Sequence, residues 1–245
     1  MRLDKFLCDN NIGTRSQVKE YIKKGQVAIN GQMVKKPETK VNEDTDIVIC
    51  QGKEIHYQKY VYYMLNKPEG VVSATNDNTA PTVVSLLAVP EQKELFPVGR
   101  LDKDTEGLLL LTNDGELAHA LLSPKKHVEK EYECHLAHAL TAQQIERLEQ
   151  GVDIGEKELT RPSRVRVLTN EVISQSAGKN GAEDGSIITL TITEGKFHQV
   201  KRMLHAVDNE VLYLKRIRMG NLVLDERLEK GAYRRLEKWE ITGLV

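Results

Sequence analysis

The stretch Gly99-Arg100-Leu101-Asp102-Lys103-Asp104-Thr105-Glu106-Gly107-Leu108-Leu109-Leu110-Leu111-Thr112-Asn113-Asp114-Gly115 decides how this chain is read. Four consecutive leucines suit a strand buried on both faces, because such a strand has no solvent side against which to alternate. Asp114-Gly115 supplies turn chemistry at its far end. An acid-rich turn stands directly in front of it. Arg100, Asp102 and Asp104 therefore sit on a short loop anchored by a rigid core element, which is how a reactive side chain is held still.

The flanking sequence alternates strands with a few helices. The apolar run at 61–65 reads as a strand, followed by an Asn66-Lys67-Pro68-Glu69-Gly70 turn. Residues 81–87 suit a short helix with proline in its first turn. Beyond the leucines, 116–122 reads as a helix and 131–136 as a strand. A helix over 141–150 opens on a capping box, Thr141 to Gln144. Strands are expected at 163–168, 171–175, 187–193 and 211–217, with a helix at 198–207. The polar, glycine-containing stretch 177–185 reads as an exposed hairpin tip. Strands without a strict βαβ rhythm predict an α+β fold with a large mixed, mostly antiparallel sheet and flanking helices.

The first 60 residues read as a separate compact unit. Leu3, Phe6 and Leu7 give a short apolar helical face, and Thr14-Arg15-Ser16-Gln17 opens a second helix through another capping box. Residues 27–29 form a short strand, Asn30-Gly31 is a strong hairpin signal, and further strands begin at 33 and 46. The polar segment 51–59 reads as a linker. The predicted domains are therefore 1–58 and 59–245.

The formal net charge of −1 hides an asymmetry: residues 1–60 carry 11 Lys+Arg against 8 Asp+Glu, and the rest 24 against 28. A basic head on a mildly acidic body fits an anionic partner. Three scattered cysteines without CxxC spacing argue against a disulfide framework and a zinc site, and fit a reducing compartment. No secretory signal opens the chain, and no apolar run approaches the roughly 20 residues of a membrane span. The expectation is a cytoplasmic protein with no membrane partner. No Walker loop, dinucleotide-binding glycine pattern or HExxH occurs. His119, His127, His135, His138, His198 and His205 show no ligand spacing and read as structural or surface.

The 99–115 run resembles the signature loop of the pseudouridine synthases that modify ribosomal RNA. Leu65-Asn66-Lys67-Pro68-Glu69-Gly70-Val71 resembles the opening strand and turn of their catalytic domain. Lys130-Glu131-Tyr132 resembles their lysine-any-tyrosine strand, and the stretch from Glu194 to Met203 their third motif. Residues 1 to about 50 resemble the S4 RNA-binding domain, through Arg2-Leu3-Asp4-Lys5-Phe6-Leu7, Thr14-Arg15-Ser16, Gly25, Val27, Asn30-Gly31 and Val41. Together the resemblances cover nearly the whole chain.

The resemblance implies isomerisation of uridine to pseudouridine within RNA. No electron or group enters, so no cofactor is expected. It places Asp102 as the catalytic carboxylate and nucleophile, Lys201 as its ionic partner with Arg202 as backup, and Tyr132 against the flipped uracil. Arg100 would fill the vacated stack or hold a phosphate, because the target base must leave its stack. Lys196, Lys201, Arg202, Lys215, Arg216 and Arg218 would line an RNA-facing surface. In the head, Lys5, Arg15, Lys19, Lys23 and Lys24 would bind RNA through phosphates. Asp104 reads as a loop-capping neighbour. The implied partner is ribosomal RNA or a ribosomal assembly intermediate, met as a monomer. Small-subunit 16S RNA is the first choice, since the C-terminus lacks the basic tail of some large-subunit relatives. The alternatives are a 23S target, a non-catalytic RNA-binding assembly protein, and a hydrolase using Asp102 and Asp104 as paired carboxylates.

Overall fold

The computed structural model of the chain describes residues 1–10, 12–43, 45–55, 59–169 and 185–244. Its internal contacts divide it into two compact units, Met1–Val61 and Tyr62–Val245. No helix among the described residues is long and apolar enough to cross a membrane.

The first unit packs helices α1 (Leu3–Asp9) and α2 (Arg15–Lys23) over a four-stranded antiparallel sheet. Its strands are β1 (Val27–Ile29), β2 (Gln32–Met33), β3 (Val48–Cys50) and β4 (Lys53–Ile55), in the order β2-β1-β3-β4. Leu3, Phe6, Leu7, Val18, Ile22, Val27, Val41, Val48 and Cys50 form its core. The Thr14 hydroxyl accepts from the Gln17 amide while the Gln17 side chain accepts from the Thr14 amide, so both halves of the predicted capping box form. Asn30-Gly31 turns with φ of 50° and 79°, the left-handed pair that a two-residue hairpin needs.

The segment 51–59 is not simply a linker. Gln51 and Gly52 adopt φ of 50° and 78°, and 53–55 fold back on β3 as β4. Glutamine is a poor turn signal, and β4 is polar because it is an exposed edge, so the hairpin is hidden in the composition.

In the second unit the described residues form one mixed sheet of nine strands, β5 (Tyr62–Lys67), β6 (Phe96–Pro97), β7 (Glu106–Thr112), β8 (Lys130–Leu136), β9 (Arg164–Thr169), β10 (Ser186–Ile192), β11 (Val211–Met219), β12 (Leu222–Val223) and β13 (Tyr233–Arg235). The spatial order is β13-β5-β7-β11-β8-β10-β9, with β12 on β11 and β6 on β7. Among the described strands of this sheet β7 and β11 run parallel, and the other pairings are antiparallel. Helices α3 (Gly115–Leu122), α4 (Ala142–Gln150), α5 (Gln199–His205) and α6 (Lys238–Thr242) accompany it. This is the α+β architecture with a mostly antiparallel mixed sheet. The strand expected at 171–175 and most of the hairpin tip at 177–185 lie outside the described residues.

The four leucines are fully buried within β7, between β5 and β11. Asp114 caps α3 by accepting from the amides of Glu116 and Leu117, and it also accepts from the Tyr62 hydroxyl at 2.7 Å. The predicted capping box of α4, Thr141 with Gln144, also forms. The helix expected at 81–87 is a single 3₁₀ turn, Val84–Leu86.

Gly107 is where β7 meets β11. Its φ is +97°, and a Cβ there would collide with the Arg216 carbonyl oxygen and lie 2.8 Å from Lys215 Cγ. The colliding atom is backbone inside a sheet, so it has no room to give. Gly107→Ala is expected to cost about 2–4 kcal/mol. Thermal unfolding should show the melting temperature lowered by about 5–10 °C; an unchanged transition would rule out the close approach.

Candidate active site

The acid loop is pinned on three sides. Ser73 Oγ donates to the Leu101 carbonyl at 2.8 Å and accepts from the Leu101 amide at 3.0 Å. The Gly70 amide donates to the Lys103 carbonyl at 2.8 Å. Lys67, completely buried at the end of β5, donates from Nζ to the carbonyls of Pro68 (3.1 Å), Lys103 (3.3 Å) and Thr105 (2.8 Å). Burial pushes this ammonium down to about 8, while Asp104, Glu106, Asp102 and Glu69 pull it back toward its ordinary value. The loop is therefore built around an interior cation that bonds to its backbone.

Asp102 projects from this loop, partly buried, with two basic groups beside it. His198 Nε2 lies 3.4 Å from Oδ1, and Lys201 Nζ lies 3.6 Å from Oδ2. The closer ionic contact of Lys201 is with Asp104, at 2.6 Å from Oδ1. Burial alone would raise the Asp104 carboxyl, but the Lys201 hydrogen bond and charge outweigh it and hold Asp104 below the usual range. Lys201 thus bridges both acids. Asp104 is the arm that fixes the lysine, a larger part than loop capping.

Arg202, the neighbouring base, points elsewhere. Its guanidinium binds Glu156 at 2.9 Å, the Phe197 carbonyl at 3.0 Å and the Ile154 carbonyl. The backup pairing with Asp102 is not made. On a helix, successive residues diverge by about 100°, so Lys201 and Arg202 cannot serve one carboxylate equally. Arg100 is exposed at the start of the loop.

Tyr132 is buried on β8, in register with Leu190 on one side and Arg216 on the other. Arg216 is in turn paired with Gly107, five residues after Asp102. Three adjacent strands therefore carry Tyr132, Arg216 and the exit of the acid loop side by side. Arg216 does not line an outer surface as its sequence setting suggests: it is 2% exposed, with Nε donating to the Leu108 carbonyl at 2.8 Å. Its Nη2 is buried without a hydrogen-bond partner among the described residues. Arg218 is taken up by Glu129 and Glu131, and Lys196 by the carbonyls of Glu158 and Leu159. Lys215 remains partly exposed.

In the first unit Arg15, Lys19 and Lys23 are exposed at spacings of four along α2, which puts them on one stripe. Lys5 pairs with Asp9 and Lys24 with Glu20. Among the described residues no group of three or more His, Cys, Asp and Glu side chains is placed to hold a metal ion.

Two residues of the site escaped the sequence reading. By spacing His198 reads as a structural or surface histidine, yet its backbone is left-handed, φ +47°, and its ring lies beside Asp102. Lys67 read as part of a turn. Its position at the end of an apolar run and before a proline, which favours extended backbone, is the signal that places it in a buried strand.

Comparison with known proteins places the chain in a family. Residues 61–206 match the RNA pseudouridylate synthase family, and residues 1–47 match the S4 domain. The chain is 48% identical over 242 residues to the uncharacterized RNA pseudouridine synthase YtzG of Bacillus subtilis, covering 98% of this chain and 97% of that protein. It is 39% identical to ribosomal small subunit pseudouridine synthase A of Haemophilus influenzae, over the full length of both. A crystal structure of a pseudouridylate synthase superposes with a TM-score of 0.68 at 38% identity, covering both chains completely. The chain belongs to the RNA pseudouridylate synthase family, as an enzyme with an S4 domain at its N-terminal end.

Proposed function

We propose that this enzyme converts one uridine of small-subunit 16S ribosomal RNA to pseudouridine, with Asp102 as the nucleophile acting on a flipped-out nucleotide. The observation that carries the proposal is the Asp102 carboxylate itself, pinned by its loop and flanked within 4 Å by Lys201 and His198. Lys201 sets an ammonium beside this carboxylate, and His198 a ring nitrogen. The small-subunit target rests on the names of the full-length relatives in Haemophilus influenzae and Vibrio cholerae.

In this reading the bond from C1′ to N1 breaks, the uracil turns, and C5 bonds to C1′. The C5 proton leaves and N1 gains one, so the atoms balance without a cofactor. A carboxylate intermediate divides one hard step into two easier ones. Tyr132 supplies a flat partner for the base and a hydroxyl for late proton transfer. Arg100, exposed at the loop entrance, takes the space vacated in the RNA. Residues 1–58 act as an S4 head that holds RNA through the Arg15, Lys19 and Lys23 stripe, and 59–245 as the catalytic domain. A covalently tethered head raises the local RNA concentration at the site.

Pseudouridine mapping of ribosomal RNA from cells with and without this protein tests the target. One 16S position is expected to lose its pseudouridine and regain it on complementation. Loss of a 23S position would move the target to the large subunit. An unchanged map in both subunits would sink the proposal.

A further inference from the structure

Phe197 is the most conspicuous loose end of the site: an aromatic ring 73% exposed, at its edge. It is stacked on His198, with ring centroids 3.8 Å apart and planes 18° from parallel. The same His198 ring reaches Asp102 with Nε2 at 3.4 Å. The pair is held up by the turn beneath it. The Lys196 amide donates to Gln199 Oε1 at 2.8 Å, and Gln199 Nε2 donates to Glu194 Oε1 at 2.8 Å. Gln199 is itself buried, and Arg202 holds the Phe197 carbonyl. His198 takes a backbone conformation that non-glycine residues rarely adopt, and it does so where it aligns the two rings. A large apolar ring is thus rigidly displayed to solvent, in a parallel stack, beside the reactive carboxylate.

We propose that the Phe197–His198 stack is a subsite for a nucleobase, and that the base it receives is a neighbour of the target uridine in the RNA strand. The inference rests on the reading of Asp102 as the site of chemistry on RNA. Every base has a π-face, and single-stranded RNA is commonly gripped by stacking unpaired bases on aromatic rings. Asp102 meets the His198 ring at Nε2, whereas Phe197 covers a face of that ring, so the stacking platform stands beside the carboxylate. A base laid on Phe197 thus occupies a place next to the nucleotide on which Asp102 acts, which is the place of a neighbour in the strand. Flipping the target leaves its neighbours without a stacking partner, and Phe197 supplies one.

Two measurements test this on the full-length protein, with ribosomal RNA purified from cells lacking the enzyme as the probe. The first reads binding without turnover. In a Trp239→Phe background, which removes the one native tryptophan, Phe197→Trp places a reporter at the platform. Its fluorescence is expected to be quenched as RNA saturates the protein. Unchanged emission at RNA concentrations that saturate binding by anisotropy would overturn the proposal.

The second reads kinetics. Phe197→Ala and Phe197→Leu are expected to raise KM about tenfold, and Phe197→Tyr to stay within about twofold of wild type. Because the side chain is exposed, these variants keep their fold. Leucine equalling phenylalanine would mean a general apolar contact, such as a protein partner, and would also overturn the base-stacking assignment. Quenching without any pseudouridine formation by the wild type would instead strike the isomerase reading and leave the base subsite standing.

Discussion

Asp102→Asn is expected to form no measurable pseudouridine in ribosomal RNA and to fold like the wild type. The amide is nearly isosteric but cannot act as the carboxylate nucleophile proposed for Asp102. Removing a nucleophile costs roughly a thousandfold or more in rate, which corresponds to at least about 4 kcal/mol of transition-state stabilisation. The fold has little reason to respond. Lys201 keeps its closer partner, Asp104 at 2.6 Å, so no cation is stranded when Asp102 loses its charge. The Asp102 carboxylate is also partly solvated, and such pairs contribute about 0–1 kcal/mol. Release of the C5 proton as tritium from labelled ribosomal RNA measures the activity, and thermal unfolding measures the fold. Normal proton release by Asp102→Asn would remove Asp102 from the chemistry. Loss of activity together with an equal loss of stability would point to a structural part instead.

The same arrangement explains which features the sequence reveals. The leucine strand is legible because burial on both faces leaves no alternation, and Leu108 to Leu111, which point alternately to the two faces of β7, are all completely buried. The capping boxes at Thr14 and Thr141 are legible because the partner residue sits three positions away in the chain. Asp102 is legible through the resemblance of its loop. The division of labour around it is not, because it depends on residues almost a hundred positions apart. The spacing of Lys201 from the acids does not tell that Asp104 takes its shortest contact. Nor does a basic residue on a strand announce that it is interior, as Arg216 is. His198 depends on one backbone angle, and nothing in a histidine before a helix states that φ will be positive. The edge hairpin at Gln51-Gly52 fails for a related reason: tertiary pairing with β3 overrides a weak turn signal.

Lys67→Met is expected to damage both stability and rate, although Lys67 is not among the groups proposed to react. Its ammonium is the common donor to three carbonyls, at Pro68, Lys103 and Thr105, two of which flank Asp104. Methionine fills the space but leaves the Thr105 carbonyl without this donor in a buried site, while the Lys103 carbonyl keeps the Gly70 amide. A buried group left unsatisfied costs about 1–3 kcal/mol, and a loss of that size is expected, partly relieved by relaxation of the loop. That relaxation moves Asp102, and a displacement of about 1 Å is worth roughly a hundredfold in rate. The expected signature is a fall in kcat of that order with Asp102, Tyr132 and Lys201 all present. The pH dependence separates this from ordinary core damage. Burial holds the folded ammonium at about 8 against 10.5 for the free side chain. Between these values the unfolded chain binds more protons than the folded one, so the Lys67 contribution to stability grows as pH rises through that window. Below pH 8 both states carry the proton and the contribution is constant. Urea unfolding at pH 7 and again at pH 10 should therefore show the gap between wild type and Lys67→Met widening, by up to about 3 kcal/mol. A gap that stays constant or narrows would mean that the ammonium is not desolvated, and the loop would then need another anchor.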